Sequence, residues 1–293
     1  MTQVKQEVRQ FYDEIGWKLV GEDVYQNARY EDLRPVSRAY IHNCHLRVAR
    51  HLQPSGRFLL DAGSGPVQYP EYLEYSREYQ YRLCVDISFT ALVEARRRLN
   101  AKGLYVVADI ANLPFKPDVF EGLVSLHTIH HLPENEHLDA FQELYRVLAP
   151  NCSAVVVNGW SSSQLMKTFE PLVRFAYTLR HLLYRLRGYE AVDDLDETND
   201  ERPKKKLRRA NGGGPKGTFT NKHDAQWVRA EVGALMPVRI LVWRSVTVRF
   251  MRALIHPWLG GRLWLRLLYS LEERYPEYFG EKGKYALIVI RKV

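Results

Sequence analysis

From residue 57 to residue 160 the chain alternates short apolar runs with longer stretches of helical spacing. "RFLLDAGSGP" (57–66) is apolar, then acidic, then glycine-rich; "YRLCVDIS" (81–88), "LYVVADI" (104–110), "VFEGLVSLH" (119–127) and "SAVVVNGW" (153–160) follow. Helix-compatible segments separate them: "VQYPEYLEYS", "SFTALVEARRRLN" and "ENEHLDAFQELYRVLAP", the last with Leu138, Phe141, Tyr145 and Leu148 at helical spacing. Strands alternating with helices of this length predict a parallel sheet covered on both faces. In such sheets ligands bind outside the carboxyl ends of the strands. Asp61, Asp86 and Asp109 fall at or near those ends, as do the histidines of "SLHTIHHLPENEH" (125–137).

The glycine-rich turn is not a dinucleotide fingerprint. Gly63 and Gly65 are in place, but Gln68 stands where the third glycine belongs. Asp61, two residues ahead of Gly63, would repel a pyrophosphate and suits a ligand with an ammonium group. Asp86 follows Gly65 at the interval where a carboxylate accepts both ribose hydroxyls, and Asp109 can face an adenine amino group. Each feature also has a plain structural reading: aspartates as helix caps, glycines as turn formers, Ile87 and Ile110 as core.

"LLDAGSGP", "CVDIS", "VVADIANLPF", "SLHTIHHLP" and "ELYRVLAPN" stand in the order and spacing of class I S-adenosylmethionine (SAM)-dependent methyltransferases. The chain resembles most the small-molecule branch of that family, which includes ubiquinone and menaquinone biosynthesis enzymes. The likeness covers residues 55–160 and resumes at "GTFTNKHDAQWVRAEVGALM" (217–236), "PVRILVWRSV" and "KYALIVIRK". It implies a Rossmann-like, doubly wound α/β sheet of seven strands, mostly parallel with the last antiparallel, carrying helical cap insertions. It implies SAM as cofactor and S-adenosylhomocysteine as product. Asp61, Gly63, Ser64 and Gly65 would lie under the methionine part, Asp86 would hold the ribose, and Ile87 would lie on the adenine. Asp109 and Ile110 would bracket the adenine edge, and His127 would line the pocket. The turn reads G-S-G-P-V, with Val67 where many members carry a third glycine. "VKQEVRQFYDEIGWKL" resembles the entrance helix that covers SAM.

The histidines then face the reacting centre. No cysteine or acidic cluster completes a ligand set with them, so no metal site is expected. His130 is the better candidate to point at substrate; His131, before Leu-Pro, suits a hydrogen bond to a loop carbonyl, and both are carried as catalytic candidates. His137 begins the next helix and is expected to be solvated. Methyl transfer asks mainly for in-line alignment, and a hydroxyl or amine acceptor also has to lose a proton to a base such as imidazole. No [DN]-P-P-[YF] tetrapeptide follows strand four, which argues against exocyclic amines of nucleobases.

Charge separates the two parts of the chain. Residues 1–160 carry 17 Lys and Arg against 20 Asp and Glu; residues 161–293 carry 25 against 14, with four of the six tryptophans. The basic, aromatic part suits an anionic partner. The expected domain spans 1–160 and 217–293. One insertion is expected at 161–216, an amphipathic helix broken near Pro171 and then a mobile charged loop, and a second helical insertion at 250–283. Leu165, Phe169, Leu172, Ala176, Leu179, Leu183 and Leu186 form the helix's apolar stripe. "PKKKLRR" resembles a nucleic-acid patch, though such runs are commonly plain solvated loop. Both insertions leave the sheet at its carboxyl ends and should roof the pocket. The expected acceptor is therefore a small or lipid-like molecule, with homodimerisation or peripheral membrane contact as other uses of that surface. Nucleic acid is the unfavoured partner, although an RNA-binding methyltransferase-like protein is the competing reading. Three unpaired cysteines, no apolar leader and no run near ~20 apolar residues lead to the expectation of a cytoplasmic enzyme.

Overall fold

The computed structural model describes residues 2–17, 19–21, 24–25, 31–186 and 218–293. The acidic and basic blocks at 193–217, including "PKKKLRR", lie outside the described residues.

Seven strands form one sheet: β1 (Gly56–Ala62), β2 (Tyr79–Asp86), β3 (Gly103–Val107), β4 (Phe120–Leu126), β5 (Leu148–Gly159), β6 (Val238–Arg244) and β7 (Tyr285–Arg291). Their order across the sheet is 3-2-1-4-5-7-6. β7 runs antiparallel to both its neighbours and the other pairings are parallel. β1 shows why its sequence is a nearly unbroken apolar run: Leu59, Leu60 and Ala62 are fully buried, because helices cover both faces. The order reverses between β1 and β4, and the crevice outside their carboxyl ends is where an open α/β sheet takes its ligand.

Helix α1 (Gln3–Phe11) precedes the sheet, and α2 (Arg38–Leu46) leads into β1. α3 (Phe89–Leu99) connects β2 to β3; the Ser88 hydroxyl caps it, accepting the amide of Ala91 at 3.0 Å. α4 (His137–Val147) buries Ala140, Phe141, Leu144 and Val147, and Leu148 already begins β5. The stretch after the glycine turn yields only a helical turn, Glu71–Glu74. Pro66 and Pro70 lack the amide a longer helix would use, and Val67 has a left-handed φ of 54°.

The cap has two sources. α5 (Gln164–Leu186) follows β5 and continues through Pro171 instead of breaking there. Its buried side is Met166, Val173 and Tyr177, which pack with Phe250, Ala253 and Met251. The stripe expected from sequence is largely the outer one: Phe169, Leu172 and Leu179 are exposed. Between β6 and β7 come α6 (Val248–Leu254), α7 (Gly261–Arg274) and α8 (Pro276–Lys282). Only α6 reaches over the crevice. α7 is bound to α2, where buried Glu272 accepts the Tyr40 hydroxyl at 2.7 Å and pairs with Arg47 at 2.9 Å. α8 lies against β6, so close that a Cβ on Gly280 would sit 2.5 Å from the Leu241 carbonyl carbon.

Candidate active site

A cavity of about 750 Å³ occupies the crevice. Asp61, Gly63, Ser64, Gly65, Asp86, Ile87, Asp109, Ile110, His127, His130 and His131 all line it. The cap contributes Met166, Lys167, Glu170, Val173 and Tyr177 from α5, and Val248 to Phe250 and Arg252 from α6; α1 and the turn after it add Lys5, Val8, Phe11, Tyr12 and Trp17.

The turn after β1 is built on left-handed backbone. Gly63 has φ 76° and Gly65 has φ 52°, conformations that glycine adopts without a Cβ penalty. A Cβ on Gly63 would stand 2.1 Å from the Thr128 methyl, and one on Gly65 would stand 2.9 Å from the Trp17 ring. Val67 keeps the left-handed backbone that a glycine would favour, with its side chain fully buried. Thr128 ties the turn to β4, donating to the Gly63 carbonyl at 3.1 Å.

The three aspartates sit in different surroundings. Asp86 accepts the Gly65 amide on Oδ2 at 2.9 Å and the Ser88 amide on Oδ1 at 2.8 Å. Burial, reinforced by the nearby Asp61 and Asp13, pushes its carboxyl up to about 6 despite those two bonds. Asp61 is buried against fully buried Arg82, whose Nε donates to Oδ2 at 3.1 Å; the same guanidinium reaches the Tyr72 carbonyl. Asp109 accepts the Ala111 amide at 3.0 Å and is paired with buried Lys5 of α1, which also pairs with Glu136. Arg82 was legible as the one cation within the second strand; Lys5 carried no such mark.

Residues 60–156 match the model of a methyltransferase domain family. That segment, about a third of the chain, is similar to a methyltransferase domain. Over 148 residues, 44% of this chain and 34% of the relative, it is 28% identical to the tRNA (carboxymethyluridine(34)-5-O)-methyltransferase of Arabidopsis thaliana. The chain spans about a third of the length of the curated relatives it matches. The chain also superposes on the DhpI–SAM–HEP complex with a TM-score of 0.55 at 10% identity, over 99% of each chain. With the geranyl diphosphate C-methyltransferase of Streptomyces coelicolor A3(2), solved with magnesium, geranyl diphosphate and S-adenosyl-L-homocysteine, the TM-score is 0.53 at 13% identity, over 100% of this chain and 98% of that one. At these identities the two structures establish the fold.

The histidines of the loop after β4 divide by their bonds. His127 bends the chain out of β4 with φ 56°, while its amide stays bonded to Val157 at 2.8 Å. Its ring stands edge-on to Trp243 at 4.9 Å, and burial holds its pKa down at about 3. His130 is buried, and its Nδ1 donates to Asn158 Oδ1 at 2.6 Å. Burial, followed by the charges of His131 and Lys222, holds its pKa well below 6.5. His131 uses both ring nitrogens on protein: Nδ1 donates to the Phe219 carbonyl at 2.8 Å, and Nε2 accepts the Tyr12 hydroxyl at 2.9 Å. His137, expected in solvent, is buried; it donates to the Leu132 carbonyl at 3.0 Å and stands edge-on to His223. The short helical turns between Ile129 and Glu136 fold it back under the histidine loop instead of releasing it to water.

Sequence reasoning also passed over a buried charge cluster on the cavity wall. Glu31 pairs with Arg244 and lies 3.5 Å from His45, while His45 lies 3.7 Å from Glu71. Burial raises the Glu31 carboxyl, but Arg244 and His45 outweigh it and hold the pKa down at about 2. Asn158 was legible as a polar residue ending the apolar run "AVVV", but its partner was not.

Proposed function

We propose that the cavity holds SAM at the glycine-turn end and a small or lipid-like acceptor beneath the cap. The observation that carries this reading is one continuous cavity joining the turn at Gly63–Gly65 to residues of α5 and α6. The residues fit the donor. Asp86, with one amide on each oxygen, is oriented to accept the two ribose hydroxyls. Ile87 and Ile110 supply apolar surface for the adenine, and Asp109 an acceptor at its edge. Asp61 receives the methionine ammonium by hydrogen bonding more than by net charge, since Arg82 offsets its charge. Gly63, Ser64 and Gly65 leave room beneath the methionine part, and His127 walls the pocket at the end of β4. When bound, the donor supplies a methyl group already activated on a sulfonium.

The chain's own chemistry is alignment, exclusion of water and proton acceptance. Tyr12 and Trp17, stacked at 4.9 Å, close the donor end with α1. Met166, Val173 and Phe250 present apolar surface to the acceptor. His130, neutral and with Nδ1–H committed to Asn158, keeps the Nε2 lone pair for a proton from a hydroxyl or amine acceptor. His131 holds the loop through Tyr12 and Phe219. Calorimetric titration of SAM tests the donor assignment: wild type should bind with one-to-one stoichiometry and Asp86→Ala should not bind. Normal binding by that variant removes the ribose assignment.

The Arabidopsis relative favours a second reading, in which a tRNA nucleotide is the acceptor. It predicts tRNA binding that weakens steeply with salt. Filter binding of tRNA over a salt series separates the two readings.

A further inference from the structure

We infer that the outer face of the cap, from Pro257 to Leu267 together with the outer stripe of α5, docks on a bilayer containing anionic lipids. Trp258 is 79% exposed, Leu263 69% and Trp264 58%. On α7, Leu263 and Leu267 lie opposite buried Leu265, with Arg262 and Arg266 along one edge of that stripe and Trp264 along the other. The helix is held from inside: Leu265, Leu268 and Tyr269 pack with Met166, Met251 and Ile255. The outward leucines and tryptophans therefore contribute little to that core.

α5 repeats the arrangement within the same cap. It buries Val173 and Tyr177 against α6 and exposes Leu172, Phe175, Leu179 and Leu182 on its other side. A helix that is apolar on two opposite sides has one side left to cover.

Charge selects the occupant. No acidic residue occurs between Glu231 and Glu272. Glu272 is buried on Tyr40 and Arg47, and Glu273 is held by Arg47 at 2.8 Å and Arg50 at 2.6 Å. On α5 the lone acid, Glu170, is held by Arg174 and Arg249, both at 2.7 Å. The face thus offers leucine and tryptophan with interleaved cations, which is the composition of a surface that enters the headgroup region of an anionic membrane. A second copy of the chain would bring the same arginines toward one another across a two-fold axis. A nucleic acid would use the tryptophans and arginines but leave Leu259, Leu263 and Leu267 without apolar partners. This surface is independent of the donor and acceptor assignments, and its test does not pass through activity.

The test is flotation of the full chain with vesicles of phosphatidylcholine alone and of phosphatidylcholine with phosphatidylglycerol at about one part in three. The chain should float with the anionic vesicles and remain largely behind with the neutral ones. Trp258→Ser with Trp264→Ser should lower partitioning by at least about tenfold. Arg262→Gln and Arg266→Gln should each lower it about fivefold on anionic vesicles only. Melting temperatures of these variants should match wild type, and wild-type tryptophan emission should shift to the blue on anionic vesicles. Failure to float overturns the proposal, as does flotation unchanged by the tryptophan substitutions. A tight dimer in sedimentation equilibrium that the tryptophan substitutions dissociate also overturns it, by assigning the face to a second copy.

Discussion

Arg82 and Asp61 meet across adjacent strands beneath the glycine turn, Nε to Oδ2 at 3.1 Å, with neither side chain open to water. Removing one member of such a pair strands the other charge in the interior. Arg82→Met should therefore destabilise the protein by about 3–5 kcal/mol. Adding Asp61→Asn should recover much of that loss, because the stranded charge is gone. Denaturant unfolding of the two single variants and the double completes the cycle; an Arg82→Met cost below ~1 kcal/mol means the pair is not coupled.

Asp86 holds a carboxylate in surroundings that resist its charge, with a pKa of about 6 in place of 3.8. Between those values the native state binds more protons than the unfolded one. Its contribution to stability therefore increases as pH falls from 6 toward 3.8 and opposes folding at neutral pH. Asp86→Asn should keep or raise the melting temperature while weakening SAM binding about a hundredfold. SAM affinity of the wild type should fall about tenfold per pH unit below 6. Calorimetry across pH 5 to about 8 checks both; a flat affinity profile assigns the ribose elsewhere.

His127 and His130 carry the opposite sign. Both have native pKa values below 6.5, His127 at about 3. The unfolded chain binds more protons in that window, so stability is lost as pH drops below 6.5. The steepest loss is about 1.4 kcal/mol per pH unit for each histidine. Two histidines outweigh one Asp86 in the region of overlap. Thermal melts between pH 7 and about 5 should show falling stability, and His127→Phe should flatten the curve.

As the proposed base, His130 predicts a rate that stays level from pH 8 to about 6.5, since burial keeps its imidazole neutral. His130→Ala should slow turnover about a hundredfold with SAM affinity near wild type. Asn158→Leu removes the acceptor of Nδ1–H and should lower kcat while leaving KM for SAM unchanged. Equal losses in kcat and in SAM affinity for either variant would instead point to a packing role.

Val67 sets two effects against each other. A β-branched side chain at φ 54° carries strain of about 1–3 kcal/mol, while its complete burial contributes about 1.5–3 kcal/mol. Val67→Gly should therefore change stability by less than about 1.5 kcal/mol, small for emptying a fully buried site. A loss beyond ~3 kcal/mol in denaturant unfolding shows that the backbone is relaxed there.

The five-strand alternation was readable because helices cover both sheet faces, so "FLL" and "AVVV" are apolar without alternation. Strand polarity placed the three aspartates and the histidines at one edge of the sheet, and the family resemblance added Gly63, Ser64, Gly65, Ile87 and Ile110 to the same cavity. The partners were not readable. Arg82 reaches Asp61 across a strand pair, and Lys5 meets Asp109 from more than a hundred residues away. Neither contact leaves a periodic trace in the chain. The rotation of α5 was misread because leucines populate two of its sides, and spacing alone does not say which side finds α6.

The cap helices enter after β5 and between β6 and β7, whereas the glycine turn and the three aspartates belong to connections after β1, β2 and β3. The two halves of the crevice are thus encoded in separate stretches of the gene. A change confined to the later stretch leaves the residues of the earlier one in place. Grafting residues 161–216 and 248–283 from a sister enzyme is accordingly the engineering route by which its selectivity should change hands.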